Sequence, residues 1–353
     1  QGMKVMLRQG SAWHDVAEQA RAILEGGIDP RHFLLVTDDS HSETLVAEGH
    51  VDRVVRVALQ AGVPVMTALQ MATINTAEHF GVARDVGMIA PGRWADILLV
   101  SDLNKLTIDV VLAKGRIVAE RGEVRAERPV VVFPAAARHS VHLPRPLTPE
   151  DFRIPYCGRG PARVHVIGVI ENQAPTRHLH LEVEPAEGQL HASLEEDLAK
   201  VALIDRHHGT GAVRLAFVQG FGLSVPCAVG STVAHDSHQM LIVGTRDEDM
   251  AMAANELAKV GGGQVVVRNG EIQARIELPI AGLMSDEPAE AVAGKVAGLL
   301  DSLRQCGCSL RNANMQLSLL ALVVIPELRL SDLGLVDVNA FRVIPVVDDE
   351  PRA

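Results

Sequence analysis

The stretch His32-Phe-Leu-Leu-Val-Thr-Asp-Asp39, followed by Ser40-His41-Ser42-Glu43, decides how the chain is read. A run of apolar residues containing Val has the pattern of a strand buried on both faces, as in a parallel sheet. It ends in two adjacent carboxylates, Asp38 and Asp39. The C-terminal end of a parallel strand is where barrels and open sheets gather their chemistry. Adjacent like charges repel, so the pair is costly unless a cation or hydrogen-bond donors meet it. The plainer reading makes Asp39 or Ser40 the N-cap of a helix through Ser-Glu-Thr-Leu-Val-Ala-Glu-Gly-His, and both readings stay open on the residues alone.

Outward from this stretch the pattern alternates. Gly2–Ala12 reads as a strand over Lys4–Leu7 running into a polar turn, and Trp13–Leu24 has helical spacing. Beyond the Asp pair, one helix is expected through Asp52–Gly62 and another through Val65–Gly81, each closed by its glycine. Strand, helix, strand, helix implies parallel pairing with right-handed crossovers. Gly87–Asp102 and Ile108–Val124 are short alternating segments with Gly turns, suited to a small β-subdomain.

A Pro-rich stretch over 129–147 reads as a linker. From residue 148 a separate α/β domain is expected, with strands through Arg163–Ile170, Ala212–Gly222, Gln239–Thr245 and Gln264–Ile272. Its helices are expected through Glu248–Val260 and Glu287–Leu303. The first boundary falls at 82 and the second at 128. Gly261–Gly263 is a turn rather than a phosphate loop, since no Lys-Ser/Thr follows it.

Composition bounds the partners. The 353 residues are 47% hydrophobic, which fits a globular chain, and the 3% aromatic content disfavours base-stacking platforms. A formal net charge of -11 repels phosphate backbones and anionic membranes. The expected partner is a small neutral or cationic molecule, with no nucleic acid and no membrane. No apolar run reaches the ~18 residues of a bilayer span. Cys157, Cys227, Cys306 and Cys308 are too few for a disulfide framework and fit a reducing, cytoplasmic setting. Cys306-Gly-Cys308 has no second pair to complete a soft-metal site, and the thiols read as incidental.

The runs VTDDSHSETLVAEGHVDRVVRVALQAGVPVMTALQMATINTAEHFG and GMIAPGRWADILLVSDL resemble the last part of an adenine deaminase of the amidohydrolase superfamily. The runs GVIENQAPTRHL, STVAHDSHQMLIVGT, DMAMAANELAKVGGG, ELPIAGLMSD and LALVVIPELRLSDLGLVDV resemble the C-terminal domain of the same family. The resemblance implies the last βα units of a TIM-like barrel over 1–82, a small β-subdomain over 83–128, and a C-terminal α/β domain over 148–353. It also implies hydrolysis of adenine to hypoxanthine and ammonia.

By position, the resemblance implies that Asp38 ligates metal and handles the proton of the attacking water, and that Asp39 holds the base. The implied cofactor is a divalent metal, Mn(II) or Fe(II), dinuclear in the complete protein. The superfamily's H-x-H pair, glutamate and two further histidines would precede Gln1, so the start of the chain reads as a cut end and the chain alone is expected to be inactive. The subdomain's sheet would then have open edges, and a homo-oligomer is expected.

Arg8 and Ser11 follow the first strand and are expected to help shape the substrate pocket, with Gln9 where the similar pattern R-E-G-S-A has Glu. Ser11 as a helix N-cap is the bland alternative. His235 and His238, among Asp236, Ser237 and Gln239, are expected to face the substrate or a domain interface; the resembling stretch has Asn in place of Gln239. His178-x-His180 points to one face if it lies on a strand, as metal ligands would, but reads better as an ordinary surface or core pair. Glu48 and His50 read as a helix-end pair. Rival readings are a non-catalytic binding or assembly module, and an amidohydrolase acting on another purine or a cyclic amide.

Overall fold

The computed structural model describes residues 2–127 and 131–348. The chain divides into two compact units, 1–131 and 132–353.

In the first unit, strands Val5–Arg8 and Phe33–Val36 pair in parallel, with Val5 opposite Phe33 and Arg8 opposite Val36. Phe33, Leu34 and Leu35 are all buried, as a strand covered on both faces requires. The segment between them forms two four-residue helices, Val16–Gln19 and Arg21–Leu24, where one was expected. They meet at Ala20, whose own backbone stays helical.

Helices Ser42–Ala47 and Val51–Gln60 follow the second strand. The single helix expected over Val65–Gly81 is two, Val65–Ala72 and Ile74–His79. The break is at Thr73 (φ -127°, ψ -90°), whose hydroxyl donates to the Leu69 carbonyl at 2.6 Å. Such back-bonding by a β-branched residue competes with the helical ladder. Asn75 then ties the last helix to the second strand, its amide donating to the carbonyls of Pro30 and Phe33 at 3.0 Å each. Val16, Phe33, Leu35, Val54, Ala58 and Met71 fill the core between them. Strands Ile97–Asp102, Thr107–Ala113, Arg116–Glu120 and Glu123–Val124 form an antiparallel meander in this unit.

The second unit is built on one eight-stranded sheet. Across it run Glu271–Glu277, Gly263–Arg268, Cys227–Ser231, Met240–Gly244, Leu198–Ile204, Val213–Gln219, Ala162–Val169 and Thr176–Val183. Neighbours are antiparallel except Val213–Gln219 with Ala162–Val169. Leu198–Ile204 shows why the sheet is central: Ala199, Val201 and Leu203 enter one core, and Ala202 and Ile204 the other. Period two sends successive side chains to opposite faces. Helix Asp247–Val260 covers the second core through Met250, Ala254 and Leu257, and helix Ala289–Gln305 covers the first through Leu299 and Leu303. Mixed α/β architecture is the outcome in both units.

Residues 128–130 lie outside the described residues, so the start of the expected linker is not placed. Its later part is built into the second unit: Leu147 is buried, Val141 and Leu143 pack on the same core, and His142 donates its amide to the Arg206 carbonyl at 2.8 Å. A smaller antiparallel sheet, Leu328–Ser331, Gly334–Asp337 and Arg342–Ile344, closes the first core with Leu328, Leu330 and Leu335. Gly261 ends the long helix in the left-handed region (φ 81°), and Gly262 and Gly263 complete the turn into the next strand. Cys227, Cys306 and Cys308 are buried in the first core and Cys157 is exposed; all four are free. No helix of the described residues is long and apolar enough to cross a membrane.

Among the described residues, Arg206 and Arg329 are buried with backbone carbonyls rather than a carboxylate as their partners. Arg329 donates to the carbonyls of Leu319 (2.8 Å), Ile325 (2.9 Å), Pro326 (3.2 Å) and Ala174. Arg206 donates to those of His238 (2.6 Å), Ser140 (3.0 Å) and Ala281 (3.1 Å). Desolvation brings both guanidinium groups down to about 10.

Candidate functional site

The site in the first unit is made where the two parallel strands end. Gln9 donates its amide to the Val36 carbonyl at 3.0 Å, and Ser11 to that of Asp39 at 2.9 Å, so the two loops continue side by side beyond the strands. Gly10 is needed between them. A Cβ there would lie 3.0 Å from the Asp39 carbonyl oxygen and 3.2 Å from that of Thr37, both backbone atoms. Arg53, buried, holds the same turn by donating to the carbonyls of Gln9 (3.0 Å) and Gly10 (3.2 Å), and it pairs with Glu48 at 2.5 Å.

Among the described residues, Arg8 brings a cation to Asp38. Its Nη1 lies 3.3 Å from Asp38 Oδ2 and its Nε 2.7 Å from Asp15 Oδ2. The Arg8 and Asp38 side chains are each 40% exposed, so the pair is worth no more than ~1 kcal/mol. Its consequence is orientation. Asp38 itself has φ 58°, a left-handed conformation that aspartate tolerates better than most residues and that turns the chain at the strand end. Asp39 is also exposed.

Ser11 is not a helix N-cap, because Asp15 precedes Val16–Gln19. Its hydroxyl donates to Thr44 Oγ1 at 2.7 Å and accepts the His41 amide at 2.8 Å, fastening the first loop to the one that carries both aspartates. Neither Asp39 nor Ser40 caps the following helix; His41 holds that position without a side-chain bond. Glu48 and His50 end one helix and begin the next, with His50 Nε2 3.4 Å from Thr37 Oγ1. The Gln9 side chain is buried, and its Oε1 has no partner among the described residues.

His235 and His238 belong to the second unit. Their rings are 5.5 Å apart, His238 Nδ1 accepts the Ala234 amide at 3.2 Å, and burial pushes the His238 imidazole below its ordinary value. Gln239 is buried, its Oε1 accepting the Arg206 amide at 2.9 Å, and Arg206 Nε donates to the His238 carbonyl at 2.6 Å. The structure thus joins Arg8, Asp38, Ser11 and Asp39 in one loop cluster of the first unit and holds the two histidines in the second. Sequence reasoning missed Asp15 and Thr44, the partners of Arg8 and Ser11; no spacing rule links either to its partner.

Among the described residues, one group of three side chains is arranged to hold a metal: His165, His178 and His180, in the second unit. Asp38 is not part of such a group. It offers one exposed carboxylate just past the end of the second strand.

The two parallel strands of the first unit end in a carboxylate-bearing loop, the place where α/β enzymes of many kinds gather their chemistry. Residues 12–118 match the amidohydrolase family and residues 173–342 the adenine deaminase C-terminal domain. The chain is 54% identical over 98% of its length to "Adenine deaminase 3" of Rhizobium meliloti (strain 1021), and 55% identical over 99% to "Adenine deaminase" of Roseobacter denitrificans. Against "Adenine deaminase" of Moorella thermoacetica the identity is 49% over 98%. The chain spans 58% of the length of each of these relatives. The chain is thus similar over nearly its whole length to proteins named adenine deaminase.

Proposed function

We propose that this chain forms part of an enzyme that hydrolyses adenine to hypoxanthine and ammonia, with 1–82 as the last βα units of a TIM-like barrel and 83–128 as its β-subdomain. The observation that carries the reading is the identity of 54–55% to proteins named adenine deaminase across nearly the whole chain. The position of Asp38 and Asp39 at the end of a parallel strand supports it.

In this reading Asp38 holds a divalent metal, whose contribution when bound is to make water nucleophilic near neutral pH. Asp38 accepts the proton of the attacking water and passes it to the ring nitrogen or to the departing ammonia, an effect worth about 10²–10⁴-fold. Arg8 orients the Asp38 carboxylate through the 3.3 Å contact and is itself fixed by Asp15. Asp39 accepts a hydrogen bond from the N–H groups of the base, and Ser11 keeps its loop in place. Mn(II) or Fe(II) is the metal proposed, its remaining ligands coming from outside residues 1–353.

Adenine supplied with Mn(II) or Fe(II), followed by its ultraviolet absorbance, tests this. The full-length protein converts adenine and loses the activity on Asp38→Asn, while the 353-residue chain alone is inactive. Full activity of Asp38→Asn would refute the role of Asp38. Turnover by the 353-residue chain would refute the claim that its metal ligands are incomplete. In the same assay, unchanged kinetics and stability of His235→Ala would remove His235 and His238 from the substrate site.

A further inference from the structure

Strands Ala162–Val169 and Thr176–Val183 form an antiparallel hairpin at the edge of the eight-stranded sheet, with His165 directly opposite His180 and Ile167 opposite His178. Period two puts His178 and His180 on the same face, and the cross-strand register brings His165 onto it. The three rings therefore meet: their centroids are 4.7, 4.8 and 4.9 Å apart. One nitrogen from each ring falls in a group no more than 4.8 Å across, and His165 Nδ1 is 2.8 Å from His178 Nε2.

Carboxylates stand behind the rings. His178 turns its Nδ1 toward Asp337 Oδ2 at 3.9 Å, and its amide donates to Glu327 Oε2 at 2.7 Å. His180 Nε2 is 3.8 Å from Asp348 Oδ2, which Arg163 Nε approaches at 3.3 Å. A histidine with one nitrogen toward a shared centre and the other toward a carboxylate is the arrangement that fixes a ligand's tautomer in metal sites.

We propose that His165, His178 and His180 form a binding site for a divalent transition metal of the zinc class, separate from the metal site of Asp38. Burial, together with the neighbouring imidazoles, holds His165 and His178 below their ordinary values, the direction a ligand's open lone pair requires. Zn–N bonds of ~2.0–2.1 Å at tetrahedral angles need nitrogens about 3.3 Å apart. His165 and His178 reach that by parting a few tenths of an ångström, and His180 by closing in through its half-exposed side chain. An all-imidazole set suits Zn(II), Cu(II), Ni(II) or Co(II) over the harder ions that favour carboxylate and water. The bound ion would fasten the edge strand, with Asp337 of the small sheet steadying its His178 ligand. The inference does not depend on which reaction the first unit serves.

The test uses the tag-free 353-residue chain, stripped with a chelator and titrated with Zn(II) alone, with Co(II) as the spectroscopic probe. One equivalent binds at micromolar concentration or tighter, raises the unfolding temperature, and gives Co(II) the visible bands of a low-coordinate nitrogen site. His180→Ala, chosen because that side chain is the most exposed of the three, abolishes the bands while keeping the wild-type circular dichroism; Asp38→Asn leaves them unchanged. X-ray absorption of the Zn(II)-loaded wild-type chain, which needs no variant, shows three imidazoles. The proposal is overturned by failure to bind at micromolar metal, by binding that survives His180→Ala, or by sulfur ligands that place the ion at the buried cysteines.

Discussion

Ser11→Ala separates a residue that holds the site's loops from one that touches substrate. The hydroxyl makes two hydrogen bonds, one from the His41 amide at 2.8 Å and one to Thr44 Oγ1 at 2.7 Å, and Thr44 is only 9% exposed. Neutral hydrogen bonds contribute ~0.5–1.5 kcal/mol each, so removing both costs ~2 kcal/mol locally. That is about a 30-fold rise in the opening of the loop that follows Asp39. Native-state amide exchange reads it directly. Protection of the His41 amide falls about 30-fold in Ser11→Ala, and by a smaller factor in Thr44→Val, which spares the His41 bond. Amides of the second unit's central strand, Leu198–Ile204, are unaffected. Unchanged protection of His41 would refute the reasoning, and so would a loss spread evenly over both units. If Ser11 instead meets adenine, the full-length variant shows a raised KM with normal exchange.

Arg329→Met removes a donor from four carbonyls, of which those of Leu319 and Pro326 keep the amides of Leu322 and Thr176 while those of Ile325 and Ala174 lose their guanidinium partner; with the desolvation of a guanidinium relieved, the net cost is ~2 kcal/mol, measured by urea unfolding of the chain, and a loss below ~0.5 kcal/mol would contradict it. Asp205 contributes to the acid response of the second unit, alongside Asp151 and Glu277, whose carboxyls are also held below the usual range. Its burial would raise the carboxyl, but the Thr210 hydroxyl and the amides of His208, Thr210 and His207 outweigh it and hold the group far below the usual range. Because the folded value lies below the unfolded ~3.9, its contribution to stability is complete above about pH 4 and fades as pH falls further. Asp205→Asn should therefore be less stable at pH 7 and show a flatter acid limb in urea midpoints taken against pH; an unaltered limb would assign the acid response elsewhere.

What could be read from the sequence follows the range of the interactions involved. The run Phe33–Val36 announced a covered strand because burial on both faces leaves no polar alternation, and the glycines at 62, 81 and 261 announced chain reversals because their backbones need positive φ. The split at Thr73 was hidden, since the apolar spacing of Val65–His79 continues through it and only the hydroxyl's bond to Leu69 interrupts the ladder. Strands Thr176–Val183, Leu198–Ile204 and Cys227–Ser231 were missed as well. The first mixes charged residues and histidines, as an edge strand with one wet face does, and so lacks the apolar signature of its neighbours.

That omission also concealed the histidine cluster. His178-x-His180 is visible as a pair, but two imidazoles at period two are common on any strand, and the third ligand sits on another one. Only the hairpin's register, symmetric about Asn172 and Gln173, brings His165 opposite His180. The same limit applies to the aspartate pair. Adjacency of Asp38 and Asp39 signals that something must offset their charge, whereas the choice of Arg8 rests on two parallel strands ending level, with Arg8 opposite Val36 and Asp38 two residues beyond it. A chemical group becomes legible in sequence when its partner lies within a turn or two; when the partner arrives through strand pairing, the register has to be known first.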